Sequence, residues 1–333
     1  MFLTGLAGGA GGYDPLVLLL VALAIEAMVG EAKWLFRRVP HPRHLLTSAV
    51  AILERKLNRP HRSATDRAVR GALVALVMMT AAGAVGWGAA WFARRHPWAA
   101  AIELALLVML VAQRAPFDGA RAVRRALDEG AIKAAREAAA RVSRQPATRL
   151  DAHGAARLAI EAVADRFATG VVAPAFWYAL FGLPGLGVHA AAAVINRRLG
   201  KTRPEPLAFG FAAERLCDIL EVIPARLAAL LITAAAAFAP TASPARALRV
   251  MVRDGAKMGR MSAGWPAGAM AGALDLALAG PRLGGERRPW LGDGRATAGS
   301  RDIRRALFLY AVACVMNGLC IAVLVVLRLH PNG

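Results

Sequence analysis

Cysteine is scarce in this chain and poorly placed for metal or redox work. Cys217, Cys314 and Cys320 form no CxxC pair, and the last two lie inside an apolar run. A zinc ribbon and a disulfide framework are therefore excluded. Aromatic residues make up only 6% of the chain and do not interleave with basic ones. The stacking platform of an RNA-binding surface is missing, and no nucleic-acid partner is expected. Acidic residues are also short, with 22 Asp and Glu against 42 Lys and Arg. The first twelve residues hold no Lys or Arg. A cleaved signal needs a basic start, so the first apolar run is expected to remain as a membrane helix. Nucleotide fingerprints are missing too. Gly200-Lys201-Thr202 ends like a phosphate-binding loop, but the glycine needed five residues earlier is Ile195. The Gly-rich start follows no strand, so it is no dinucleotide fingerprint. His41 and His44 flank Pro42 without a clustered carboxylate and read as an interface loop rather than a metal pair.

What the chain has is apolar length. It is 57% hydrophobic, with a mean hydropathy of +0.44. That excess over a soluble domain points to lipid as a second solvent. Runs at 15–30, 71–93, 98–113 and 307–327 are long enough to cross a hydrocarbon core. The second and third form a hairpin around a short turn at 94–97. The first is interrupted only by Glu26. Residues 170–195 contain Pro174, Pro184 and several glycines, which predicts a broken or re-entrant helix pair. Residues 222–239 form a further alanine-rich run with Arg226 near its start. Whether these last two runs each cross, or neither does, stays open.

The fold expected is all-α: a single multi-pass membrane domain over 1–333, with cytoplasmic helical segments. Basic blocks at 33–70, 114–166 and 246–305 separate the apolar runs. The positive-inside rule places them in the cytoplasm. Residues 114–168 read as a helical insertion, since 131–142 is almost all Ala, Lys, Arg and Glu. Gln145-Pro146 ends that stretch, and Thr148 or Asp151 caps the next helix at 151–164. Residues 246–305 read as a long loop region, and no strand pattern is evident.

Four stretches carry a more specific signal. Gly30-Glu31 precedes His41-Pro42 and Leu53-Glu54-Arg55-Lys56-Leu57-Asn58. Glu161-Ala162-Val163-Ala164-Asp165 leads into Gly170-Val171-Val172-Ala173-Pro174-Ala175-Phe176-Trp177. Phe209-Gly210-Phe211-Ala212-Ala213-Glu214-Arg215-Leu216 is followed by Asp218 and Ile223-Pro224-Ala225-Arg226-Leu227. Arg253-Asp254-Gly255-Ala256-Lys257 precedes Ala263-Gly264-Trp265-Pro266, Ala269-Met270-Ala271-Gly272-Ala273-Leu274 and Pro289-Trp290-Leu291-Gly292-Asp293-Gly294. In this order and spacing the set resembles the adenosylcobinamide-phosphate synthase family, the cobalamin-biosynthesis proteins CobD/CbiB, from about Glu26 to about Leu309.

The resemblance implies a multi-pass protein of the cell inner membrane, and a ligase that joins aminopropanol, usually as its phosphate, to a carboxylate of adenosylcobyric acid. It also implies ATP and Mg2+. Such chemistry needs acids and cations together: groups to hold phosphate and metal, and a base for the amine proton. Glu161, Asp165, Asp254 and Lys257 are the candidates for the reacting groups. Arg157, Glu214, Arg226 and Arg253 are candidates for substrate binding, and Asp218 for the metal. Asp151 is a further polar group of the same region. Glu161, Asp165, Asp218, Asp254 and Lys257 are expected to line one cavity. The lipid bilayer and other enzymes of the cobalamin pathway are the expected partners.

The departures from the family pattern are equally informative. Members usually carry Glu-Asn, two small polar residues and Asp-Gly before Val-Val-Ala-Pro. Here the stretch reads Asp165-Arg166-Phe167-Ala168-Thr169-Gly170. After Asn196 the usual Thr-Leu-Asp-Ser-Met-Ile-Gly-Tyr is replaced by Arg197-Arg198-Leu199-Gly200-Lys201. The acid pair before Ile-Pro-Ala-Arg is reduced to Cys217-Asp218, and the Asn that follows is Glu221. The His-Pro-Ser-Pro-Asn stretch is replaced by Met258-Gly259-Arg260-Met261-Ser262, and the Glu after Trp-Pro is Ala267. Residues that shape helices and turns are retained, while metal- and proton-handling types are lost. A non-catalytic paralogue that binds a corrinoid or anionic ligand, or that scaffolds the pathway, is therefore the rival reading. A transporter is a poorer match, since only Glu26 and Glu103 sit deep in spanning runs.

The charge pattern gives a first test. Arg136→Cys and Arg295→Cys, each in a cysteine-free background, should resist an impermeant maleimide in intact cells and react after permeabilisation. Strong labelling from outside would overturn the proposed orientation.

Overall fold

The computed structural model describes residues 13–30, 42–59, 61–199, 207–258, 262–281 and 288–329. Glu31, His41, the Gly200-Lys201-Thr202 triplet, Arg260 and the Gly-rich start lie outside the described residues. The described residues are helical almost throughout. The helices are α1 (Pro15–Val29), α2 (Pro42–Leu57), α3 (Ala64–Arg95), α4 (Ala100–Leu110), α5 (Arg114–Asp128), α6 (Ile132–Ser143), α7 (Ala152–Phe167), α8 (Ala173–Leu199), α9 (Leu207–Ala235), α10 (Pro244–Asp254), α11 (Gly264–Leu274) and α12 (Ser300–Leu329). A two-residue antiparallel ribbon pairs β1 (Leu278–Ala279) with β2 (Trp290–Leu291). Among the described residues, five stretches are long and apolar enough to cross a membrane: Ala64–Arg95, Ala100–Asp128, Ala152–Leu199, Phe209–Phe238 and Ser300–Leu329. Helix α1 is a shorter apolar helix.

The chain divides into two compact units, each drawn from separate segments. The first comprises Met1–Val111, Ala173–Leu220 and Ile321–Gly333, and the second Ala112–Val172 and Glu221–Cys320.

In the first unit, the 170–195 run resolves into a sharp reversal. Gly182 has φ 64° and ψ −151° inside α8, a conformation that favours glycine. A Cβ on Gly185 would lie 2.4 Å from the Trp177 carbonyl oxygen. In a straight helix residues eight apart are separated by about 12 Å. The chain therefore doubles back, and α8 is two antiparallel limbs. The limb after Gly182 runs antiparallel to α3. Gly86 meets the Leu183 carbonyl, Gly187 meets the Ala82 carbonyl, and Val74, Ala75 and Met78 pack with Val194 and Ile195. Small residues let the two backbones approach, the packing logic of helices in lipid. At its far end Arg198 pairs with Glu54 of α2 at 2.8 Å.

Two prolines remove backbone donors from these helices, and in each case another donor fills the place. Pro174 cannot bond the Gly170 carbonyl four residues earlier. The chain forms a π-helical turn at Ala168–Val172 there, and the Ala112 N–H donates to Gly170 O at 2.9 Å. Pro224 likewise frees the carbonyl of Leu220 in α9, and the indole N–H of Trp177 donates to it at 3.0 Å.

In the second unit, Asp151 caps α7 by accepting from Gly154 N–H at 2.7 Å. This matches the capping expected at Thr148 or Asp151 and gives Asp151 a structural role. Helices α5, α6 and α7 pack together, and α10 packs on α11. The region read as a loop at 246–305 thus contains two helices and the ribbon. Every α11 residue except Trp265 is buried, so its sequence shows no amphipathic period to read. Strands of two residues leave no alternation either.

Close approach at Gly86 is a sensitive contact, since a Cβ there would lie 2.5 Å from the Leu183 carbonyl oxygen. Gly86→Val should destabilise the protein by roughly 1–3 kcal/mol, the usual cost of overpacking. Gly88→Val on the same helix should be tolerated, because nothing lies within 4 Å of its Cβ position. Thermal unfolding in detergent compares the two, and equal effects would contradict the proposed helix contact.

Candidate functional site

The polar residues of the second unit gather around one short piece of chain, from Leu278 through the ribbon to Ala296. Helix α7 supplies Arg157, Glu161 and Asp165 at four-residue spacing, which places them on one face. Glu161 is buried, and its Oε1 accepts from the Ala279 N–H of β1 at 2.8 Å. Its Oε2 lies 3.8 Å from Arg288. Ala279 has φ 60°, a left-handed conformation unusual for a residue with a side chain. The Glu161 carboxylate receives the amide displayed there. Arg157 donates to the Ala296 carbonyl and lies over the Trp290 ring at 5.5 Å. His153, one turn earlier, contacts the Ala298 carbonyl at 2.8 Å.

The end of α10 supplies Arg253, Asp254 and Lys257. Asp254 is fully buried. Its Oδ1 accepts from Arg253 Nε at 2.8 Å and lies 2.6 Å from the Lys257 ammonium. Its Oδ2 accepts from Arg253 Nη2 at 2.7 Å and from Gly292 N–H at 2.8 Å. Gly292 has φ 84°, and a Cβ there would sit 2.5 Å from the Leu276 carbonyl. Only glycine presents its amide to Asp254 in this way. Arg253 also pairs with Asp293. The Arg253 guanidinium holds the Asp254 carboxyl well below the usual carboxylate range; burial opposes this, and Lys257 and the Gly292 amide reinforce it. The outer ends of Arg253 and Lys257 remain about half exposed.

Arg226 joins this end of α10 through Trp265. Its guanidinium lies 4.4 Å from the centre of that ring while donating to Val222 O at 2.8 Å. Trp265 packs against Gly255, the residue after Asp254. Ser262 donates to Glu221 at 3.2 Å beside them. Ala279 in β1 and Gly292 just past β2 hold the two carboxylates. Strand geometry separates these amides by roughly 8–10 Å.

The structure therefore ties Glu161, Arg157, Arg253, Asp254 and Lys257 to one ribbon, with Arg226 alongside Asp254. Asp165 lies one turn beyond Glu161 and is half-buried. Glu214 and Asp218 are buried four residues apart on α9, within the first unit. In the stretches that depart from the family pattern, Arg198 is held by Glu54 and Arg166 follows Asp165 on α7. Sequence reasoning missed Arg288, Ser262 and the ribbon itself. Trp265, Trp290 and Asp293 stood in the quoted motifs without an assigned role. Their signal was their place beside Gly and Pro in the motif order, and nothing in local spacing marked Arg288.

A resident metal does not fit this arrangement. Among the described residues no group of three or more His, Cys, Asp or Glu could hold one. Both oxygens of Asp254 already have cationic or amide partners.

Asp254 also dictates a pH response. Its folded pKa is depressed, so its contribution to stability is full above the unfolded carboxylate value of about 4 and fades as the pH falls below that. Asp254→Asn should cost roughly 1–3 kcal/mol at neutral pH. The gap from wild type should stay constant between about pH 5 and 8 and narrow below about pH 4. Tryptophan fluorescence during thermal unfolding measures both, and a gap indifferent to acid would contradict an ionised Asp254.

Comparison with known proteins gives a consistent picture. Residues 19–310 match the family described as CobD/Cbib protein. "Cobalamin biosynthesis protein CobD" of a Sinorhizobium species is 38% identical over 318 residues, covering 92% of this chain and 98% of that protein. The protein of the same name from Rhizobium meliloti (strain 1021) is 35% identical, covering 90% and 93% respectively. That from Rhodobacter capsulatus is 34% identical, covering 93% and 97%. No solved structure matches the chain.

Proposed function

This chain belongs to the CobD/CbiB family of cobalamin-biosynthesis proteins, and from that membership we propose that it is the amide-forming ligase of late corrin assembly. It joins aminopropanol, as its phosphate, to a carboxylate of adenosylcobyric acid at the cytoplasmic face of the inner membrane. ATP drives the step, and magnesium enters as part of the nucleotide substrate. The observation that carries this reading is the ribbon-centred cluster, where one segment holds buried carboxylates while several cationic ends face outward.

The chemistry follows from what those groups do. A carboxylate resists amine attack until one oxygen is phosphorylated, with release of ADP. The amine then forms the C–N bond, phosphate leaves, and a base takes the amine proton. Arg253 and Lys257 are suited to phosphate, because Asp254 fixes their positions without covering them. Asp165, one turn from Glu161 on α7, is assigned the role of base. Glu161 keeps the ribbon in register with α7. Arg226 and Arg157 bind substrate anions. Asp218 and Glu214 are assigned to the nucleotide's magnesium and to substrate on the strength of the family resemblance. Other enzymes of the pathway are candidate partners at the membrane.

The arginines that stand where the family pattern carries other residues, at Arg166 and at Arg197-Arg198, carry the second reading, a non-catalytic paralogue that binds a corrinoid. Purified wild type in detergent, given adenosylcobyric acid, aminopropanol phosphate and MgATP, should form adenosylcobinamide phosphate. Glu161→Ala and Asp254→Ala should each lower the rate about 100- to 1000-fold while still inserting in the membrane. Turnover indifferent to both changes would refute the site. No turnover, where a motif-complete family member works, would favour the paralogue.

A further inference from the structure

One cation near the ribbon has an unmet demand. Arg288 stands two residues before Trp290, and its Nη1 is buried without a hydrogen-bond partner. A guanidinium stays charged at any ordinary pH and offers only donors. Its neighbouring carboxylate oxygen, Glu161 Oε2, is 3.8 Å away, beyond hydrogen-bond reach. The other oxygen of Glu161 already accepts from the Ala279 amide. Arg157, one turn before Glu161 on α7, commits one Nη1 N–H to the Ala296 carbonyl. Arg288 thus stands beside one carboxylate, and Arg157, one turn before that carboxylate on α7, reaches the same ribbon through Ala296 and Trp290; these three side chains sum to one net positive charge. Buried donors without acceptors are rare in proteins, and such groups commonly receive a ligand oxygen.

We propose that Arg157 and Arg288 form the subsite for the carboxylate of the corrinoid substrate, with Arg288 as a specificity-determining residue. This rests on the reading given under Proposed function, and it names which substrate the subsite takes. Charge selects between the oxyanions on offer. One carboxylate neutralises the group, whereas a phosphate monoester, close to two negative charges at neutral pH, overshoots beside Glu161. The surroundings agree. Trp290 lies under Arg157 and is 40% exposed, an open apolar surface beside the guanidiniums. A broad macrocycle edge uses that surface, and a small amino-alcohol phosphate does not.

The test is equilibrium dialysis with the full chain in detergent, read by corrinoid absorbance. Wild type should bind adenosylcobyric acid about 10- to 100-fold more tightly than adenosylcobinamide, whose corresponding carboxylate is an amide. Arg288→Gln should remove that preference, Arg288→Lys should restore part of it, and both should unfold at the wild-type temperature. Added aminopropanol phosphate should not compete for wild type. Three results overturn the subsite: unchanged preference in Arg288→Gln, competition by aminopropanol phosphate that Arg288→Gln abolishes, or competition by a non-hydrolysable ATP analogue with the same dependence. If wild type binds neither corrinoid, the functional reading falls with it. If wild type binds both and only the Arg288 dependence is missing, the functional reading stands and this subsite does not.

Discussion

Every backbone carbonyl in an apolar surrounding must find a donor, and the chain's interior prolines make this requirement acute. Water is not at hand inside a bilayer to replace a lost hydrogen bond. The two clearest breaks, at Pro174 and Pro224, lie in helical stretches long and apolar enough to cross a membrane. Each is repaired from elsewhere, by the Ala112 amide and by the Trp177 indole. Helix bends therefore have fixed positions, and α7 leads into α8 through a defined π-helical turn.

The polar centre solves the same problem with side chains. Glu161 and Asp254 are buried acids, and buried charge is costly unless paired and hydrogen-bonded. Asp254 meets the condition fully with Arg253, Lys257 and an amide. Glu161 accepts from the Ala279 amide and has the Arg288 guanidinium 3.8 Å away. The open donor there belongs to Arg288, whose Nη1 has no hydrogen-bond partner, and a ligand oxygen can still add something to it.

Much of this was legible in the sequence. Runs of apolar residues with basic flanks gave the membrane helices, and Asp151 announced its own helix. Pro174, Pro184 and the glycines announced a broken helix, although the reversal at Gly182 required knowing that Trp177 and Gly185 touch. Motif order pointed to the family and to Asp254 and Glu161. What stayed hidden depends on distant pairing. Arg288 gains its meaning only from Glu161, more than a hundred residues away, and the ribbon is too short to imprint a period. Helix α11 escaped notice because burial on all sides erases the amphipathic stripe that sequence reading relies on.

The ribbon between Leu278 and Leu291 has two strands of two residues and almost no apolar interior of its own. Its shape is set from outside, by Glu161 at one strand and Asp254 beyond the other. Anything that orders one anchor therefore shares its free energy with the second. Ligands held beside α7 and beside α10 would therefore be linked, each altering the other's affinity by the same factor through the ribbon that both anchors share.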